Sequence, residues 1–169
     1  MKPRIIFLMI IFIVLLTGCG TPKDTTPNRD FEALIELVNS RQFEIEQEWA
    51  RPMSGNTINL LGNPNYIRMR GNQVDLFLPY YGVRQSGGCY GTGEGGIKYV
   101  GPAEKLEIEE NPGNNSVLIK FEGRQGTEDL QFFITLMSGG SAHTSVNSSE
   151  RNSISYSGNL RALADKTDK

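Results

Sequence analysis

The 169-residue sequence predicts a mainly β fold, a small antiparallel barrel or sandwich of about eight or nine strands with one short N-terminal α-helix. Three observations support this prediction. Short runs of alternating apolar and polar residues recur along the chain, Gly, Asn and Pro separate them, and helical periodicity precedes the first run only. Strands without helices between them pair antiparallel, because parallel neighbours need crossovers of about a dozen residues. The pattern does not distinguish a closed barrel from a sandwich.

The N-terminal segment is typical of a bacterial export signal. Lys2 and Arg4 precede an uncharged apolar run, residues 5–16, which is shorter than the about 20 residues that a membrane-spanning helix needs. The run is followed closely by Gly18 and Cys19, and this ending resembles the lipobox of bacterial lipoproteins. We therefore expect cleavage between Gly18 and Cys19, removal of residues 1–18 as signal peptide, and lipid (palmitate among its acyl chains) on Cys19.

This anchor predicts a place in the bacterial cell envelope, with the membrane as a partner through the lipid on Cys19. Gly20 is not the Asp that retains some lipoproteins in the inner membrane, which favours the outer membrane, facing the periplasm or the surface. Residues 19–29 are polar and predict a flexible tether, followed by a domain at 30–161 and a polar tail at 162–169. Loss of residues 1–18 lowers the formal net charge from −2 to −4, which argues against a nucleic-acid partner.

The domain is predicted to begin with the helix and a long first strand. Asp30 is placed as the N-cap of a helix that ends at Asn39-Ser40. Its apolar face is formed by Phe31, Leu34, Ile35 and Val38. From Arg41 the side chains alternate, so one face of the strand is predicted to be inward (Phe43, Ile45, Gln47 and Trp49) and the other acidic (Glu44, Glu46 and Glu48).

Short strands are predicted along the rest of the chain, separated by turns. Gly71-Asn72 favours a two-residue hairpin, and residues 80–96 predict a long glycine-rich loop. The predicted strands are 58–61, 66–70, 73–78, 97–100, 105–109, 116–122, 129–137, 142–147 and 153–160.

Several segments together resemble a family of exported bacterial lipoproteins, the domain of unknown function 4251. The more specific segments are 78–82 (Leu-Pro-Tyr-Tyr-Gly) and 154–158 (Ile-Ser-Tyr-Ser-Gly). Weaker similarities lie at Phe31 and at residues 41–43, 50–53, 95–99, 140–142 and 152–153. Tyr81 and Val83 depart from the Phe and the basic residue that the resemblance leads us to expect. The resemblance implies a lipocalin-like β-barrel and no activity, so it supplies no catalytic residues.

No group of residues predicts catalysis, a cofactor or a metal site, and we expect a non-enzymatic protein. Residues 91–96 match G-x-G-x-x-G, but a strand-like segment follows instead of the helix that a dinucleotide site requires. His143 is the only histidine and is predicted to be solvated, while the lone Cys89 is predicted to be buried. The glutamates are predicted to be solvated faces of strands rather than calcium or glycosidase sites.

The candidate binding surface is a predicted rim of aromatic residues beside the glycine-rich loop. Pro79 is expected to end a strand, and the rim consists of Pro79, Tyr80, Tyr81, Tyr90 and Tyr99. A structural corner packed against the helix is the alternative. Two functions stay open: a scaffold that contacts another envelope protein through this rim, or a carrier of a small apolar ligand or lipid inside the barrel. Complete filling of the interior by side chains would exclude the carrier.

Overall fold

The structure is a computed structural model that describes residues 29–83 and 96–163. Within these ranges one helix, α1 (Arg29–Ser40), precedes ten strands. The strands are β1 (Gln42–Pro52), β2 (Ile58–Asn59), β3 (Tyr66–Arg70), β4 (Gln73–Pro79), β5 (Gly96–Pro102), β6 (Glu104–Asn111), β7 (Ser116–Gln125), β8 (Glu128–Met137), β9 (Ser141–Ser148) and β10 (Ile154–Ala162). The predicted mainly β fold with one N-terminal helix is confirmed.

The strands form one antiparallel sheet that curls into a nearly closed barrel. Their order is β5-β4-β3-β1-β10-β9-β8-β7-β6. The short strand β2 is not part of this order and pairs with β1. Only Ala103 separates β5 from β6, so a single bent stretch of chain supplies both edges of the sheet. Ala103 is buried and its N–H donates to the Asn72 carbonyl at 2.8 Å, which fixes the bend. β5 also contacts β7, and this contact brings the edges together as a barrel rather than a sandwich.

Large apolar side chains fill the described part of the barrel interior. Alternation along each strand turns one side chain in two inward, and the largest fully buried ones are Tyr156, Phe43, Phe121, Phe132, Ile45, Leu60, Ile67, Met69, Leu76, Leu78, Ile97 and Ile119. The rings of Phe121 and Phe132 stack at 4.6 Å between centroids. A barrel of about eight strands is just wide enough for its own side chains. The interior is therefore a packed core.

The helix packs its apolar face on β1, β7 and β8. Phe31, Leu34 and Val38 are buried as predicted, and Ile35 packs partly buried against the core. The helix already includes Arg29, so Asp30 lies in its first turn rather than at the N-cap, where its charge still favours the helix dipole. Among the residues described, no helix is long and apolar enough to cross a membrane.

The first strand differs from the prediction at a β-bulge between Gln47 and Trp49. Trp49 was predicted to face inward, but the extra residue turns it to the outside, where it is 39% exposed, and Ala50 is buried instead. Gly158 of β10 lies against this bulge. A Cβ at Gly158 would lie 2.6 Å from the Gln47 Cα and closer still to the Glu46 carbonyl oxygen, so only glycine permits this approach.

The barrel has two ends, which the strand registers define. At the helix end, α1 leads into the start of β1, where Gln42 pairs with Arg70. At the far end, β1 finishes at Pro52 and β4 finishes at Pro79, opposite Gly96. The segment of the predicted rim therefore lies at the opposite end of the barrel from the junction between the helix and β1.

Candidate functional site

The corner that follows β4, residues 79–83, is held from inside the barrel by Tyr156. Pro79 is buried, and the Tyr156 hydroxyl donates to its carbonyl oxygen at 2.8 Å. Tyr156 has no exposed surface, and this burial raises the pKa of its hydroxyl. A neutral tyrosine hydroxyl is what a carbonyl acceptor requires, because only the protonated form donates. The two more specific segments of the sequence, 78–82 and 154–158, thus meet at this hydrogen bond.

Tyr80 folds back across the corner and is also committed to structure. Its hydroxyl lies 3.0 Å from the Val83 carbonyl oxygen and 3.2 Å from that of Asn152. Burial raises the pKa of the Tyr80 hydroxyl. A Cβ at Gly82 would lie 2.5 Å from the Tyr80 hydroxyl, so the glycine makes room for the ring. The Asn152 N–H donates to the Val83 carbonyl at 3.2 Å and completes the corner.

A buried ion pair, which we call the Arg151 clasp, ties this corner to three other segments. The Arg151 guanidinium donates to both carboxylate oxygens of Glu128, at 2.8 and 3.0 Å, and to the Gly96 carbonyl at 3.2 Å. The guanidinium carbon of Arg151 lies 5.2 Å from the centre of the Tyr80 ring. The Arg151 and Glu128 side chains are only 12% and 5% exposed. The clasp therefore joins the starts of β5 and β8, the β9–β10 loop and the corner.

The structure divides the predicted rim into separate parts. Tyr81 is 36% exposed and Val83 is 63% exposed, so these two residues present the corner to solvent. Tyr99 does not lie at the rim: it is 5% exposed, pairs with Leu76, and packs beside Phe132 as part of the contact that closes the barrel. Burial raises the pKa of Tyr99, whose hydroxyl donates to the Pro102 carbonyl at 2.5 Å.

Several predicted features lie outside the described residues. These are Gly18 and Cys19 of the cleavage site, Cys89, Tyr90, and residues 91–95 of the glycine motif. The alternative of a corner packed on the helix is replaced by a corner packed on β10 and the Arg151 clasp. The clasp was not predicted from the sequence. Glu128 and Arg151 are 23 positions apart, and neither lies in a motif that would indicate a buried ion pair.

Several carboxylates of the described outer surface form ion pairs. Glu44 pairs with Arg68 and lies 3.9 Å from Arg161, while Glu109 accepts from Lys120 at 2.6 Å. His143 is exposed on β9. Within residues 29–83 and 96–163, no group of three or more metal-ligating side chains comes together.

Among the residues that the structure describes, one buried side-chain oxygen lacks a hydrogen-bond partner. At the bulge, Gln47 exchanges hydrogen bonds with the Asn65 side chain, at 2.6 and 2.9 Å, and its Nε2 donates to Thr144 at 3.1 Å. Its Oε1 is buried and has no partner among the described residues. Buried oxygens of this kind are uncommon, and a bound water or ligand usually satisfies them.

Comparisons with known proteins agree with this architecture. The sequence profile of the family described as "Domain of unknown function (DUF4251)" matches residues 26–160. The crystal structure of a DUF4251 family protein from Bacteroides eggerthii, at 1.95 Å resolution, superposes with a TM-score of 0.60 and 17% identity, covering 79% of this chain and 88% of that one. No curated protein matches. The structural likeness shows the barrel fold, and the profile match over most of the sequence shows that the chain belongs to the DUF4251 family.

Proposed function

We propose that this protein is a lipid-anchored lipoprotein of the bacterial cell envelope that acts as a non-enzymatic protein-interaction module. The observation that carries the proposal is the exposed pair Tyr81 and Val83 at the far end of the barrel. The tether from Cys19 would enter through α1, which joins β1 at the helix end. The predicted flexible tether would hold the barrel off the membrane, so that the exposed pair would stay open to a partner.

The support for a protein partner is chemical. Tyrosine is enriched in protein interfaces, because its ring contributes a large apolar area and its hydroxyl a polar tip. Tyr81 and Val83 flank Gly82 in a corner that is fixed by Tyr80, Tyr156 and the Arg151 clasp. A surface that is already rigid loses little conformational entropy when it binds.

Carriage of a small apolar ligand or lipid is the second candidate. It is favoured by the unpartnered Oε1 of Gln47, which could accept a hydrogen bond from a molecule inside the barrel. The packed side chains weigh against it. Phe43, Phe121 and Phe132 occupy the interior with no more than 2% exposure, so a ligand would have to displace them. We therefore favour the interaction module.

The anchor predicts a specific effect of Cys19→Ala. Without the thiol that carries the lipid, we expect the chain to lose metabolic labelling by a clickable palmitate analogue and to keep residues 1–18. In-gel fluorescence and the intact mass measure these two changes in cells. Cys89→Ala is the matched control and should keep the label, since Cys19 and Cys89 are the chain's two cysteines. Labelling of the Cys19→Ala chain at the normal level would refute the anchor.

The binding surface is tested by site-specific photocrosslinking in cells. A photoreactive amino acid in place of Tyr81 should give a discrete crosslinked species of higher mass, because the side chain would lie inside the interface. Val100 is the control position, since it is 78% exposed but lies on the outer face of β5 away from the corner. The interaction proposal fails if position 81 gives no adduct, or only the adducts that position 100 gives.

A further inference from the structure

A shallow, open groove lies on the outer surface of the barrel, across β1, β10 and β9. It is a groove of about 260 Å³, and Arg51, Met53, Ser145, Ser153 and Ser155 contribute to its lining. Arg51 pairs with Ser155, which pairs in turn with Ser145, so the three side chains form one row across three strands. The groove is close to the end of β1 and therefore to the far end of the barrel.

Core packing explains the inward residues of these strands but not the outward ones. Ala50, Ile154 and Tyr156 are buried in the core. Arg51 and Met53 point outward, and Met53 is 72% exposed. The groove nevertheless joins residues 50–53 to residues 152–158, two of the segments by which the sequence resembles its family. The outward side chains of both segments are therefore available for a role other than packing.

The charge of Arg51 distinguishes it from the paired cations elsewhere on the barrel. Lys105 pairs with Glu122 at 2.7 Å, and Lys120 pairs with Glu109 at 2.6 Å. Within the described part of the chain Arg51 makes no ion pair, and no carboxylate lines its groove. The groove thus offers a positive charge with no neutralising neighbour among its lining residues.

The hydroxyls around Arg51 add neutral donors. In the row, Ser155 lies next to Arg51 and Ser145 lies beyond Ser155, and a serine hydroxyl can donate to an anion. The Ser153 hydroxyl is not available to an anion in the same way, because it already donates to the Asn147 side chain at 2.8 Å. Pro52 and Met53 supply an apolar side to the same groove.

We infer that this groove binds an oxyanion, the carboxylate or phosphate group of a small ligand. The planar guanidinium of Arg51 would donate two parallel hydrogen bonds to two oxygens of the anion, which is the geometry that arginine favours for both groups. Ser145 and Ser155 would donate to the remaining oxygens of a phosphate or to the free lone pairs of a carboxylate. Met53 would contact the apolar part of the ligand. This site is separate from the Tyr81 and Val83 surface and does not depend on the proposed interaction function.

The chain offers a matched control for Arg51. Arg70 is another exposed arginine, and it lines a groove of about 450 Å³ near the helix end. That groove also contains Arg68 and Arg161 and the carboxylates of Glu44 and Asp75, and Arg161 pairs in addition with Glu46. Since three carboxylates balance the three arginines there, the groove around Arg70 should bind an anion more weakly than the groove around Arg51.

The test is a titration of the full chain, in non-ionic detergent at low ionic strength, with inorganic phosphate and separately with acetate. We expect saturable shifts of the Ser145 and Ser155 backbone amide signals in NMR spectra with at least one of these anions. Arg51→Gln should weaken that binding by about tenfold or more, as expected for loss of charged hydrogen bonds. Arg51→Lys should lie between the two, and Arg70→Gln should bind like the natural chain.

The responding anion identifies the chemical group, phosphate or carboxylate. The inference is overturned if neither anion gives saturable shifts at these amides. Equal losses of binding in Arg51→Gln and Arg70→Gln would also overturn it, because they would indicate non-specific attraction to surface charge. Both arginines are exposed, so neither variant is expected to disturb folding.

Discussion

Replacement of Gly158 by alanine is expected to destabilise the barrel by about 3 kcal/mol or more, or to prevent its folding. The added Cβ would lie 2.6 Å from the Gln47 Cα and closer still to the Glu46 carbonyl oxygen. Both are backbone atoms, so no side-chain rotation can relieve the clash. Relief requires β1 and β10 to separate at the bulge, where these two strands pair along most of their length.

Gly139→Ala is the control for this prediction. Gly139 lies in the turn between β8 and β9, and a Cβ there would meet nothing within 4 Å. Urea unfolding of the full chain, followed by circular dichroism, should give a midpoint near that of the natural chain for Gly139→Ala. A Gly158→Ala chain of equal stability would show that β1 and β10 do not approach each other as closely as the structure has them.

The same contact shows why the sequence predicted β1 correctly but misplaced Trp49. Alternation of apolar and acidic residues is a local signal, and it located the strand and the inward faces of Phe43 and Ile45. A bulge depends on the partner strand, here on the absence of a side chain at Gly158, more than 100 positions later. No pattern within β1 itself could place Trp49 on the outside.

The pattern of strands in the sequence could not distinguish a barrel from a sandwich, because that distinction also depends on which distant strands pair. The predicted strands near 97–100 and 105–109 are both present, as parts of β5 and β6. What closes the barrel is that one pairs with β4 and the other with β7, with a bend at Ala103 between them. The sequence shows Gly101 and Pro102 as an interruption, but the partners on either side are decided by tertiary packing.

The candidate site was predicted as a group of similar residues, and the structure separates them by their partners. Tyr80 and Tyr81 are adjacent in the sequence, yet Tyr80 is bound to Asn152 while Tyr81 is exposed. Tyr99 is likewise a tyrosine close to glycines in the sequence, but it is a core residue. Whether an aromatic residue near glycines is exposed at the rim or buried depends on its contacts with distant strands. The local sequence does not show these contacts.

The Arg151 clasp gives the other large expected effect. Arg151→Met should destabilise the protein by about 3–5 kcal/mol, because it leaves the carboxylate of Glu128 buried without its counter-charge. Glu128 is 4% exposed, and after the substitution it would keep only the hydrogen bond from the Ser148 hydroxyl. The Gly96 carbonyl would also lose its donor. Urea unfolding of the full chain measures the change.

Arg124→Met is the matched control, because Arg124 and Asp129 also form a close pair, at 2.5 Å, but their side chains are 67% and 55% exposed. Water solvates both charges after the substitution, so the unfolding midpoint should scarcely move. The double variant Glu128→Gln/Arg151→Met should recover part of the loss, since it removes the stranded charge. If Arg151→Met were as stable as Arg124→Met, the clasp would not be a buried pair in solution, and the corner that supports Tyr81 would be held without it, by its Tyr80 and Tyr156 hydrogen bonds.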